Sequence, residues 1–260
     1  MIIGQNNIIE YIDNKTRDTF PRSLILLGAY GCGKHTTVNY IKDKLNLPLI
    51  NITDQLSLDF ILSLYQKPEP YLYLIEGNQI TIKEQNMILK FIEEPLKNAY
   101  IIIIAESSNQ LLPTVYNRCQ VLRFVPYSKE ILKSFSDDEL ILKIADTPGE
   151  VKDLNNNKLS DILELTDKIV NKIGAANLPN VLTISDKLAY KDEKNKFPIQ
   201  SFSKVLNYSL IEKIRKDSNP VYIQMYKLVN EWNIKRKAPT ISQKFLFENL
   251  LLKLYNLMKV

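Results

Sequence analysis

Gly28-Ala29-Tyr30-Gly31-Cys32-Gly33-Lys34-His35 has the spacing of a phosphate-binding loop. In such a loop glycines let backbone N–H groups turn toward a phosphate, a lysine reaches the outer oxygens, and a closing serine or threonine hydroxyl holds Mg²⁺. Gly28, Gly31, Gly33 and Lys34 are in place, but His35 stands where the hydroxyl belongs and Thr36 comes one position late. The spacing predicts a phosphate cradle that has lost its metal ligand. Nucleotide hydrolysis also needs acidic groups near the metal and the attacking water. Glu76 ends the apolar run Tyr71–Glu76 and could polarise water or simply be a solvated strand end, whereas Ile75 before it can hold no metal.

These groups need elements to hold them. Ser23–Leu27 reads as a buried strand before the loop, and Val38, Ile41 and Leu45 recur at helical spacing after it. Tyr71–Glu76 is a second strand, and Tyr100–Ala105 is a third, fully apolar one. Between them Ile82, Ile88, Leu89 and Ile92 recur with a helical period, and Pro95 is expected to stop that helix. The β-α-β-α-β order predicts a parallel sheet covered on both faces, with ligands at the carboxyl ends of its strands.

Several segments, in order, resemble one family. They are Ile3-Gly4-Gln5, Pro21–Leu26 leading into the loop, Gln85-Asn86-Met87-Ile88-Leu89-Lys90-Phe91-Ile92-Glu93-Glu94-Pro95, and Leu111-Leu112-Pro113-Thr114-Val115-Tyr116-Asn117-Arg118-Cys119-Gln120. Together they are similar to the clamp-loader subunits of the AAA+ ATPases, above all the bacterial delta-prime type. The resemblance implies that Arg118 reaches the ATP of a neighbouring subunit, with Asn117 in place of the family's serine. A guanidinium suits that role because its fork of donors matches phosphate oxygens. The resemblance also turns the Gln85–Glu93 helix toward duplex DNA, making Gln85 and Lys90 candidate contacts. Phosphate sensors are missing where the chain reads Ala105-Glu106 and Thr147-Pro148-Gly149-Glu150, and the two glutamates would repel an anion.

The remaining chain sets the organisation. Its 260 residues, 45% hydrophobic, suffice for two or three small domains. The expected division is a P-loop AAA+ domain over 1–125, a short helical lid over 126–156 and an all-helical collar over 157–260. Within the lid a helix is expected over Lys129–Ala145. The collar helices are expected at Ile162–Ile173, Leu178–Tyr190, Phe202–Lys216, Pro220–Trp232 and Ser242–Met258. In the last of these Phe247, Leu250, Leu251, Leu254, Leu257 and Met258 form an apolar stripe, with Thr240 and Gln243 placed as a capping box.

With two cysteines and one histidine, a four-cysteine zinc module and Ser-His-Asp or Cys-His catalysis away from the loop are excluded. Cys32 and Cys119 read as small buried residues. No apolar run reaches membrane-spanning length and Met1–Gly4 opens no signal-peptide pattern, so a cytoplasmic protein is expected. A net charge of +5 is modest, so nucleic-acid binding rests on the resemblance.

The expected function is that of a non-hydrolysing clamp-loader subunit in DNA replication. It would supply Arg118 in trans and support loading of a sliding clamp onto primer–template DNA. Its expected partners are other clamp-loader subunits, the sliding clamp and DNA. Backbone donors and Lys34 leave weak ATP or ADP binding open, without Mg²⁺. The alternatives are an active ATPase using Thr36 and Glu76, a small-molecule P-loop kinase, and a scaffold with no nucleotide role.

Overall fold

The computed structural model describes residues 2–65, 70–94, 99–155, 158–186, 199–236 and 242–259. Pro95 and Thr240, expected to stop one helix and cap another, lie outside them. The chain divides into two compact units, Met1–Ile131 and Leu132–Val260.

The first unit is built on five parallel strands, β1 (Ser23–Leu27), β2 (Leu49–Asn51), β3 (Tyr71–Glu76), β4 (Ala99–Ala105) and β5 (Gln120–Arg123), in the order β2-β3-β4-β1-β5. Side chains alternate across a strand, and here both faces are buried. Leu24, Leu26, Leu72, Leu74, Ile102 and Ile104 pack beneath α1 (Asn6–Asp13) and α2 (Lys34–Leu45) through Ile8, Ile12, Val38 and Ile41. Ile25, Tyr73, Ile75, Ile101 and Ile103 face the other way. They pack against α3 (Leu58–Leu64), α4 (Ile82–Glu93) and α5 (Pro113–Tyr116) through Ile61, Ile88, Phe91 and Val115. The near-continuous aliphatic runs of the strands are thus the sequence image of a sheet with no wet face.

Helix α4 starts at a capping box, with Thr81 N–H donating to Glu84 Oε2 at 2.6 Å and Glu84 N–H donating to Thr81 Oγ1 at 3.3 Å. Ile82, expected on the buried stripe, is instead 66% exposed, because the box fixes it as the first helical residue, on the solvent side.

Helix α6 (Lys129–Lys133) lies at the division between the units. The second unit is helical: α7 (Glu139–Ile144), α8 (Pro148–Asn155), α9 (Lys158–Asp167), α10 (Leu178–Asp186), α11 (Ile199–Asp217), α12 (Pro220–Lys235) and α13 (Gln243–Met258). The helix expected over Lys129–Ala145 is two short ones. Asp138 breaks it by accepting from the N–H groups of Leu140 and Ile141, which starts α7 anew. Within this unit α7 packs on α8 and α11, and α8 packs on α9 and α11. A π-helical turn, Lys168–Lys172, and a 3-10 turn, Ile173–Ala175, follow α9.

Phe202, Trp232 and Phe247 form the aromatic centre of this unit, with ring centroids 5.5–6.4 Å apart. The α13 stripe turns Phe247, Leu250, Leu251 and Leu254 into that core. Ser242 precedes α13 without a side-chain cap.

Candidate functional site

Parallel strands put the site on one edge. Gly28 leaves β1 with its N–H donating to Ala105 O on β4, and Gly77 N–H donates to Ile104 O beside the end of β3. The phosphate loop, Glu76 and Ala105-Glu106 therefore share the carboxyl edge of the sheet.

Each loop glycine has a reason. A Cβ on Gly28 would lie 2.6 Å from Phe124 Cβ and 2.8 Å from Cys32 Sγ, while Gly31 and Gly33 hold φ of 72° and 100°. Tyr127 steadies the loop from after β5 by donating its hydroxyl to Cys32 O at 2.7 Å. Gln5 anchors the N-terminal segment by donating to Val125 O and accepting from Val125 N–H, both at 2.9 Å. Tyr127 had no signal in the sequence because its partner is 95 residues away.

Lys34 is buried and turned back on its own loop, donating to Gly28 O at 2.6 Å and Ala29 O at 2.8 Å. A phosphate would have to win it from two carbonyls. His35, 65% exposed, sets Nε2 3.3 Å from Oε1 of the largely buried Glu76. Burial pushes the Glu76 carboxyl above its ordinary range, with His35 and Lys34 pulling the other way. The backbone N–H of Glu76 is taken by Thr53 Oγ1 at 2.9 Å.

The loop amides and Lys34 suit a nucleotide phosphate, but this set does not suit the Mg²⁺ that goes with it. The hydroxyl position carries an imidazole engaged by Glu76, and Ile75 lies in the core. Thr36 is exposed, and the buried Thr37 hydroxyl donates to Gly33 O at 3.0 Å within the helix.

Glu150 of the second sensor segment and Gln85 of α4 both lie in surroundings other than those expected. Glu150, expected near a phosphate, is buried in the second unit. There it accepts from Asp146 N–H at 2.9 Å and pairs with Lys204 Nζ at 2.7 Å, so its charge is neutralised locally. Gln85, expected to face DNA, is 4% exposed and spends its amide on the backbone. It donates to Gln110 O at 2.9 Å and accepts from Leu112 N–H at 2.7 Å. It ties α4 to the segment that carries Arg118. Lys90 does lie on the exposed face of α4, in line with Lys83 and Asn86.

Arg118 sits in the turn between α5 and β5, with its side chain 41% exposed. Its Nε lies 2.5 Å from Glu93 Oε1 at the end of α4, and Nη1 donates to Thr114 O at 3.0 Å. The adjoining Cys119 thiol is pushed up to about 12 by burial, and burial also raises Cys32 against the pull of Lys34, which disfavours the thiolate at both positions.

The family described as DNA polymerase III, delta subunit, matches residues 32–128, from the phosphate loop through the Arg118 turn. The delta' subunit of DNA polymerase III from Bacillus subtilis is 38% identical over 63 residues, 24% of this chain and 19% of that protein. Residues 32–128 are thus similar to the delta subunit family of DNA polymerase III. The delta' subunit from Haemophilus influenzae is 36% identical over 66 residues, covering 25% of this chain and 20% of its own length. Replication factor C subunit 3 of Saccharomyces cerevisiae is 23% identical over 208 residues, 73% of this chain and 61% of that one. The chain thus spans about one fifth of the length of the bacterial delta' subunits it matches. A solved DNA polymerase III gamma subunit-related protein from Thermotoga maritima shares the fold. Its TM-score is 0.51 at 15% identity, over 98% of this chain and 99% of that one.

Proposed function

We propose that this chain acts in DNA replication as a clamp-loader subunit that completes a neighbour's ATP site and does not hydrolyse ATP at its own. The arrangement around Arg118 carries the reading. The guanidinium is held at the surface by a half-exposed carboxylate, an interaction worth at most about 1 kcal/mol in water. A charged phosphate in a neighbouring subunit can take its place, with the planar fork spanning two oxygens. Gln85 supports this by fixing the segment from which α5 and Arg118 project.

The chain's own loop supports the second half of the proposal. Lys34 answers to the loop carbonyls, and His35 and Glu76 answer to each other. Weak ATP or ADP binding through the loop amides remains compatible with this site, and Mg²⁺ does not.

The proposed partners are other clamp-loader subunits, the sliding clamp and primer–template DNA. Lys90, with Lys83 and Asn86, is the proposed DNA-facing surface of α4, where phosphate contacts would dominate affinity. Ile234 and Phe245, 74% and 60% exposed on α12 and α13, offer apolar surface for subunit contact. Among the described residues no helix is long and apolar enough to cross a membrane.

Partner assignment is tested by mass spectrometry of the complex purified through a tagged chain at its native level. AAA+ subunits with intact phosphate loops are expected in fixed stoichiometry. Recovery of the chain alone would contradict the proposal.

A further inference from the structure

The Arg118 guanidinium has two edges of donors, and its own chain touches both. Nε lies 2.5 Å from Glu93 Oε1, and Nη1 donates to Thr114 O at 3.0 Å. Nη2 has no partner among the described residues. A guanidinium grips a carboxylate or phosphate best through two parallel N–H donors, and Nε with Nη2 is one such pair. Glu93 holds one half of that pair, so a phosphate taking the whole edge has to displace it. A phosphate on the other edge would leave the carboxylate across one guanidinium from it, where like charges repel. Thr114 O is neutral and sits four residues before Arg118, so it can keep its bond and the aim of the side chain in either state.

Glu93 also has a reason to hold on. It is the last residue of α4, and Glu94 is the C-cap. Exposed carbonyls make a helix C-terminus negative, which disfavours carboxylates and favours cations. Two carboxylates therefore stand at the wrong end of α4. Lys90, the basic residue of that last turn, makes no ion pair among the described residues. The cation that meets this helix end is Arg118, and its departure strands Glu93 beside Glu94.

We propose that Glu93 is a latch on Arg118, an autoinhibitory contact that parks the guanidinium on its own subunit until a neighbour's nucleotide phosphate displaces the carboxylate. The latch rests on the role proposed for Arg118 above and adds its regulation. A phosphate carries more charge than one carboxylate and can span both donors of an edge, so it wins the guanidinium only when held at bonding distance. A loosely closed subunit interface leaves Arg118 on Glu93, and turnover is withheld.

The test is ATP hydrolysis by the reconstituted complex, with and without clamp and primer–template DNA, and with assembly checked by gel filtration. Glu93→Gln keeps the size of the side chain and removes its charge. Unstimulated turnover should rise about two- to fivefold, the scale of an exposed ion pair, and stimulation by clamp and DNA should fall by the same factor. In an Arg118→Ala background Glu93→Gln should change nothing. A fall in unstimulated turnover in Glu93→Gln would make Glu93 a positioning residue and overturn the latch. A rise that persists in Arg118→Ala would place the effect elsewhere and overturn it too. The two proposals fail separately: lowered turnover in Arg118→Ala with no change in Glu93→Gln removes the latch alone, whereas full turnover in Arg118→Ala removes the role of Arg118 and the latch with it.

Discussion

Nε2 of His35 stands 3.3 Å from Oε1 of Glu76, so the side chain at the lost hydroxyl position is joined to the strand-end acid. Two changes separate this loop from a metal site, since Ile75 is also a core residue with no ligating atom. The purified chain should show no Mg²⁺-dependent ATPase above background, and neither Lys34→Ala nor His35→Ser should change that. Phosphate release measures it. Turnover that vanishes in Lys34→Ala would restore the active-ATPase alternative.

Burial raises the Glu76 carboxyl above its ordinary value of 4.5, which fixes a sign. Within the window just above that value the folded chain holds this proton more tightly than the unfolded one, so this group's contribution to stability falls as pH rises. Glu76→Gln removes the penalty. Its Tm should match the native protein at pH values well below the ordinary carboxylate range and exceed it at neutral pH. A Tm below the native value at pH 7 would mean that the His35 pairing outweighs burial.

Gln85 carries a prediction that separates its two readings. Gln85→Ala leaves the partly buried Leu112 N–H without its acceptor, a loss of about 1 kcal/mol by urea unfolding. Any loss of DNA affinity should be smaller than in Lys90→Ala. The opposite ranking, with stability unchanged, would return Gln85 to the interface.

Much of the first unit was legible because its signals are local. Strand, glycine loop and helix follow one another in sequence, and the aliphatic runs of β1, β3 and β4 suit only strands buried on both faces. The role of Gln85 was not legible. An amide on a helix reads as polar surface until the segment Gln110–Leu112 folds back over it. Glu150 misled in the same way, since Lys204, its neutralising partner, lies 54 residues on. The split of the Lys129–Ala145 helix turned on one aspartate, Asp138, whose capping role outweighed the helical period around it.

The aromatic centre of the second unit should be the most sensitive part of that unit. Phe247 is fully buried against Phe202 and Trp232. Phe247→Ala should cost about 3–5 kcal/mol. Phe245→Ala, at an exposed position on the same helix, should leave Tm within a degree or two and act only on assembly. Equal melting of the two variants would contradict the assignment of the α13 stripe to the chain's own core.

The central claim is that Arg118 acts across a subunit boundary. Arg118→Ala should fold normally, since an ion pair this exposed contributes little to stability. The decisive measurement is DNA- and clamp-stimulated ATP hydrolysis by the reconstituted complex, with assembly checked by gel filtration. Arg118→Ala should assemble fully yet lower turnover at the affected site by about 10³-fold, the scale of an arginine finger. Arg118→Lys should recover little, because it keeps the charge but loses the planar fork. Full activity in the assembled Arg118→Ala complex would contradict the account.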